Sequence, residues 1–294
     1  MGDNASPLRL RRRLRTELLA ARQKKELTQQ QVAKDMEWSL SKMNRIEKAK
    51  SRISANDLKA LLRLYDITDK KRIDELVALA REARQSPWWK RYSDVAPPAL
   101  LELIDYESAA SAVSQFETIF VPGILQTEEY ASAVLQVFYD ETTVPGDETS
   151  VPDKVAALVD LRTRRRDLLS SENAPKFSFV LDESVIRRVV GNPAITSRQL
   201  VHLVNVAELS NVTMQVVPFT AGLHPGMKGP FEVVQFEDAP DENIVFLEGP
   251  RSDSIIAEPK ETQSYLAAFQ HIAEISLGPS DSVNHLRQTA AEMA

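Results

Sequence analysis

Six side chains within seven positions, Ser39, Leu40, Ser41, Lys42, Asn44 and Arg45, have the chemistry to read a DNA groove. Asparagine can pair in bidentate fashion with adenine, arginine can reach guanine or a phosphate, and leucine can pack on a thymine methyl. The residues before them supply the mounting. Thr28 with Gln31 three positions later forms a capping box, which predicts a helix starting at Gln29 with Val32, Ala33 and Met36 on one face. Ser39 can cap a second helix with Met43 and Ile46 inward. That leaves Leu40, Ser41, Asn44 and Arg45 outward, as in the recognition helix of a helix-turn-helix. The competing use of this face is simple solvation. Two caps at the right separation and a basic surrounding segment favour DNA.

The charge distribution supports that choice. Residues 1–86 carry 21 Lys and Arg against 12 Asp and Glu, whereas the rest of the chain carries 15 against 30. The overall net charge of −6 conceals a basic N-terminal part that would concentrate positive field at the motif. At 294 residues two domains are expected, and no apolar run approaches the roughly 18 residues a membrane span needs. The Arg-rich N-terminus lacks a following apolar segment, so a cytoplasmic protein is expected. The chain has no cysteine, which removes disulfides, thiolate nucleophiles and Cys-ligated zinc together.

The elements that must hold the motif are legible as helices. Leu10, Leu14, Leu18 and Ala21 mark the inner face of a first helix ending near Lys25. Ser54 with Asp57 opens a fourth helix, with Leu58, Leu61, Leu62 and Tyr65 on one face. A fifth runs from about Asp69 to Arg84, with Ile73, Leu76, Val77 and Ala80 inward. Five short helices make a complete bundle over residues 1–86. A linker is expected over 87–98, where Trp88-Trp89 and Pro97-Pro98 break the pattern. The paired tryptophans read as buried anchors rather than a ligand platform.

Residues 99–294 read as a larger mixed domain. Strands are expected at 116–121, 177–181, 212–217, 231–236 and 244–247, with a type II turn at Val121-Pro122-Gly123. Helices are expected at 127–137, 153–170, 196–209 and 259–275, with another before Gly191, and a surface loop at 140–151. The fold class is α+β with a largely antiparallel sheet.

Other candidate chemistry is thin. Gly222, Gly226 and Gly229 around His224 suit a strand connection, not a phosphate cradle, because no G-x-x-x-x-G-K-[ST] pattern is present. The histidines 202, 224, 271 and 285 lack metal spacing, no G-x-S-x-G elbow exists, and the adjacent pair Asp182 and Glu183 is too common a feature to imply acid/base catalysis. No catalytic residue, metal or cofactor is expected. Arg9, Arg11, Arg12, Arg13 and Arg15 fit a solvated helix face or additional phosphate contacts. Arg162, Arg164, Arg165 and Arg166 fit salt bridges to an acidic domain surface better than a binding patch for an acidic partner.

The N-terminal part resembles the XRE-type helix-turn-helix family, which implies a λ-repressor-like bundle. The resemblance implies an ion pair between Arg22 and Glu47, a phosphate contact by Gln29, and close helix crossing at Ala33. Glu37 departs from it, since the family has glycine at that turn. The larger part resembles a domain of unknown function in actinobacterial antitoxin-like regulators. Residues 121–131, Arg162 to Arg166, Phe179 to Glu183, Val216 to Phe219 and Gly229 to Phe231 carry that likeness. Together they imply a transcriptional regulator binding a double-stranded DNA operator, expected as a homodimer whose large domain mediates dimerisation and response. The alternative is an antitoxin-like protein whose main task is binding a small partner protein encoded nearby.

Overall fold

Four side chains fix where the helices after the first begin. In the computed structural model, which describes residues 7–140, 151–237, 239–249 and 252–294, helix α1 spans Pro7–Lys24. Thr28 then caps α2 (Gln29–Asp35) through a full capping box with Gln31. Ser39 caps α3 (Leu40–Glu47), Ser54 caps α4 (Ala55–Leu64) and Asp69 caps α5 (Lys70–Glu82), each accepting a backbone N–H from the first turn. Inward stripes from all five meet in one core containing Leu14, Leu18, Val32, Met43, Leu58 and Leu76. The chain divides into two compact units, residues 1–90 and 91–294.

Helices α1 to α4 end as regularly as the others begin. Each closes in a Schellman turn: Leu27 N–H donates to Arg22, Trp38 to Ala33, Lys50 to Arg45 and Ile67 to Leu62. This geometry needs a left-handed residue just before the donor. The positions fall to Glu26, Glu37, Ala49 and Asp66, all with φ of 54–55°. A side chain there costs about 1 kcal/mol relative to glycine. Leu27, Trp38 and Ile67 pack against the core immediately afterwards, which helps to offset that cost.

The second unit is built on a six-stranded sheet ordered β3-β2-β1-β4-β5-β6. Its strands are β1 (Ala112–Glu117), β2 (Lys176–Asp182), β3 (Val212–Val217), β4 (Phe231–Gln235), β5 (Ile244–Leu247) and β6 (Ser254–Ile256). Helices α6 (Pro98–Ala109), α7 (Glu128–Asp140), α8 (Val151–Arg166), α9 (Glu183–Arg187), α10 (Pro193–Val206), α11 (Pro259–Ile275) and α12 (Pro279–Glu292) surround it. Period-two alternation divides the strands between two cores. Phe177, Phe179, Leu181 and Met214 face a core shared with Leu103, Tyr130, Leu203 and Leu286 of the helices. Phe116, Val180, Val217 and Val233 face Phe269 and Ile272 of α11. Among the described residues no helix is long and apolar enough to cross a membrane.

Several expectations need correction. The sheet is mixed, not largely antiparallel: β1 pairs parallel with β2, and β2 with β3, while β4 to β6 are antiparallel. The helical crossovers between β1, β2 and β3 impose this, because they return the chain to the same sheet end. Val121-Pro122-Gly123 is not a type II turn. Gly123 starts a 3-10 turn, Gly123–Leu125, with Leu125 N–H donating to Pro122 O at 2.8 Å. The helix before Gly191 stops at Arg187, and the long helix predicted to 170 passes into a 3-10 turn at Asp167. Residues 87–98 are no plain linker, since Trp88–Tyr92 forms a 3-10 turn and α6 begins at Pro98. Trp89 is buried and meets Trp88 edge to face, with ring centroids 5.6 Å apart. Most of the surface loop expected at 140–151 lies outside the described residues.

Candidate nucleic-acid interface

Helix α3 is divided lengthwise by burial. Met43, Ile46 and Glu47 are buried, and the two apolar anchors contribute about 1.5–3 kcal/mol each through burial. On the other side Ser39, Leu40, Ser41 and Arg45 are exposed and Asn44 is half-buried. Leu40 is a large apolar side chain left 50% accessible to solvent. Sequence spacing of one and four residues places Leu40, Ser41, Asn44 and Arg45 on one strip, presented by a helix held from behind.

The holding is done by ions as well as by apolar packing. Glu47, at the inner end of α3, receives Arg22 of α1 in a fork: Nε to Oε1 at 2.5 Å and Nη2 to Oε2 at 3.0 Å. Arg22 Nη1 also donates to Leu27 O at 2.7 Å, bracing the turn between α1 and α2. Gln29 Nε2 adds a third donor to Glu47, at 2.6 Å from Oε2. Hydrogen bonding to Glu47 holds the Arg22 pKa above its usual range. Burial, followed by the Glu47 charge, pushes the neighbouring Tyr65 phenol upward as well.

Two residues expected to contact DNA also make contacts within the unit. Gln29 is bonded to Glu47. Lys42 Nζ lies 3.0 Å from Asp57 Oδ2 and 4.0 Å from the Trp38 ring centroid, which ties α3 to the first turn of α4. The α1 arginines divide in a way their composition did not signal. Arg11 Nε donates to Ala49 O at 3.1 Å, just beyond the end of α3, and Arg12 and Arg15 are buried. Arg13 is exposed. Exposed cations follow α3 in the chain, at Lys48, Lys50 and Arg52.

In the second unit the cluster Arg162 to Arg166 is not a surface network throughout. Arg164 meets Asp160 on the surface, with Nε 3.2 Å from Oδ1. Arg162 Nη1 donates to Gln126 Oε1 at 2.8 Å. Arg165 is buried, forks onto buried Glu107 at 2.6 and 2.7 Å, and reaches Glu232 at 3.5 Å. Among the described residues no group of three or more His, Cys, Asp or Glu is arranged to hold a metal ion.

Comparison with known families agrees with this division of the chain. A helix-turn-helix domain model matches residues 9–86, which contain the strip on α3 and the Arg22–Glu47 pair behind it. A model for a domain of unknown function, DUF5753, matches residues 100–288, which span all six strands. Neither a curated protein nor a solved structure matches the chain. The chain thus belongs to the DUF5753 family and carries a helix-turn-helix domain on the N-terminal side of that domain.

Proposed function

We propose that this chain is a sequence-specific DNA-binding transcriptional regulator that lays α3 in the major groove of an operator. The observation that carries the reading is the division of α3, with a solvent-facing strip of Leu40, Ser41, Asn44 and Arg45 backed by buried Met43, Ile46 and Glu47. In this reading Asn44 and Arg45 read base edges, Leu40 packs on a methyl, and Ser39 and Ser41 contact the backbone. Gln29 and Lys42 act chiefly by positioning α3, while Lys48, Lys50 and Arg52 add phosphate contacts. The C-terminal domain mediates dimerisation and effector response and has no catalytic role. One helix reads few base pairs, and two-fold pairing would place half-sites about 34 Å apart. The sequence blocks around Val121 to Ala131 support placement in the actinobacterial XRE-type, antitoxin-like group.

Fluorescence anisotropy on operators selected from genomic DNA tests this. Asn44→Ala or Arg45→Ala should weaken specific binding by about 1–3 kcal/mol and relax the preference at one base position. Lys50→Ala should weaken all sequences evenly and reduce the salt slope by about one. Unchanged sequence preference in both α3 variants would overturn the reading. A second reading, in which capture of a small partner protein encoded nearby is the main task, is favoured by one apolar surface loop. Phe219, Leu223 and Met227 are 62%, 92% and 61% exposed there. Co-expression with that neighbour separates the two, since only this second reading expects a stable complex that loosens when Leu223 is made Asp.

A further inference from the structure

The loop between β3 and β4 projects three large apolar side chains from a backbone that is anchored at three points. Phe219, Leu223 and Met227 are exposed, Leu223 almost completely. Phe219 N–H donates to Glu183 Oε2 at 2.8 Å. The His224 side chain is buried edge to face against Phe116, with ring centroids 5.8 Å apart. Gly226 lies so close to the same ring that an added Cβ would stand 2.2 Å from Phe116 Cε1. Two 3-10 turns, Phe219–Ala221 and Pro225–Lys228, take up the chain between these anchors. A loop held in this way loses little conformational freedom on contact, so more of its apolar burial is kept as affinity. Over residues 218–230 Lys228 is the single Lys, Arg, Asp or Glu. It is exposed and makes no ion pair among the described residues.

The same domain carries a surface of complementary character. Helices α7 and α8 enclose a groove of about 770 Å³, with Val155, Ala156 and Val159 of α8 on one side and Glu128 and Glu129 of α7 on the other. Among the described residues no Lys, Arg or His lines it. Asp160 at its edge already meets Arg91 and Arg164, and Glu129 is paired with Arg198. Glu128 is exposed and makes no ion pair among the described residues. The loop thus offers apolar side chains and one unpaired cation, and the groove offers an apolar wall and one unpaired carboxylate. Three side chains are too few for lasting association alone, since a stable interface covers about 800 Å² on each partner. Two copies that seat loop in groove reciprocally each bury one loop and one groove, and the contact closes under a two-fold axis.

We infer that the occupant of the groove is a second copy of this chain, whose loop over residues 219–228 seats between α7 and α8. Leu223 then packs on Ala156 and Val159 of the other copy, and Lys228 faces its Glu128. The inference rests on the proposed dimeric regulator and names the surfaces that pair its C-terminal domains. A contact made in one direction only would leave one loop and one groove unfilled at each end and would grow without limit, whereas reciprocal seating stops at two.

The test uses the full chain, which has no cysteine, so that introduced thiols are the only ones present. Leu223→Cys and Ala156→Cys, both at exposed positions, are purified separately and mixed under mild oxidation. The mixture should give a disulfide joining the peptides that contain positions 223 and 156, at least about tenfold above the pairing of either variant with itself. Sedimentation equilibrium should show a dimer whose Kd rises about 100-fold with Leu223→Asp. Lys228→Glu should raise it about 3- to 10-fold, and Glu128→Lys in the same chain should restore it. A dimer without the cross-link overturns the assigned surfaces and leaves dimerisation standing, whereas a monomer at micromolar concentration overturns both. Open-ended polymers, or a cross-link that forms only when the small protein encoded nearby is added, also overturn the reciprocal pairing.

Discussion

The two units bury charge in opposite ways. In the N-terminal unit Glu47 is met by three donors, two from Arg22 and one from Gln29, and the network has no spare carboxylate. In the C-terminal unit Arg165 faces three buried carboxylates, and Glu232 Oε1 and Gln115 Oε1 lack donors. A closed network fixes geometry, and here it fixes the angle at which α3 is presented. An open one keeps a demand that a proton can answer. The backbone shows a second contrast. Left-handed positions in the first unit are occupied by Glu26, Glu37, Ala49 and Asp66, whereas those described in the second are glycines 191, 222 and 229. The helix-turn-helix bundle therefore carries local strain that its core must offset.

The largest expected effect follows from cutting the closed network. Glu47→Ala strands the Arg22 guanidinium and should cost the N-terminal unit about 3–5 kcal/mol, the range for breaking a buried pair. Chemical denaturation of residues 1–90 within the full chain, followed by Trp38 fluorescence, measures it. A loss below about 1 kcal/mol would reduce the pair to a surface contact.

The open network should instead declare itself through pH. Burial, then the Glu248 charge, pushes Glu117 up to about 8, against the opposing pulls of Gln115 and Arg165. Glu232 is likewise driven well above its ordinary range, by burial and then by Glu107. A carboxyl whose folded pKa is raised binds more protons in the native state than in the unfolded one. Its stabilising contribution is present below about pH 4.5 and is lost as pH climbs toward 8. Glu117→Gln should therefore gain on the parent chain as pH rises from 5 to 8, reaching about 2–4 kcal/mol. A constant difference between their melting temperatures across that interval would contradict the assignment.

Smaller effects distinguish the two sets of left-handed residues. Glu37→Gly relieves a φ of 54° and should stabilise the first unit by about 0.5–1 kcal/mol after the entropy of the unfolded glycine is counted. Gly191→Ala should destabilise the second by about 1–2 kcal/mol. Its φ is 68°, and an added Cβ would lie 3.0 Å from Ile195 Cδ1 and 3.1 Å from Ala133 Cβ. Matching signs for the two substitutions, read from denaturation midpoints, would remove the contrast.

The N-terminal helices were legible because their signals act within one turn. Thr28, Ser39, Ser54 and Asp69 each satisfy an N–H two or three residues away, and the apolar stripes need only a helical period to be recognised. Helices α6 and α12 were missed for an equally local reason. Pro97-Pro98 reads as a break, yet Pro98, like Pro279 of α12, occupies the first turn of a helix, where the missing N–H costs nothing. The three-residue strand β6 is too short for its alternation to register.

The sequence by itself determined the caps, the stripes on α1 to α5 and the charge asymmetry, since each depends on neighbours in the chain or on composition alone. Tertiary structure decided which polar side chains stayed available. Gln29 and Lys42 are engaged by partners 18 and 15 residues away, and Arg165 by carboxylates 58 and 67 residues away. It also decided the parallel half of the sheet, through the crossovers, and the cross-strand meeting of Gln115 with Glu232. The physical reason is the same in each case. A side chain's reach and periodicity are local properties, whereas its partner in a low dielectric is selected by packing between segments far apart in the chain.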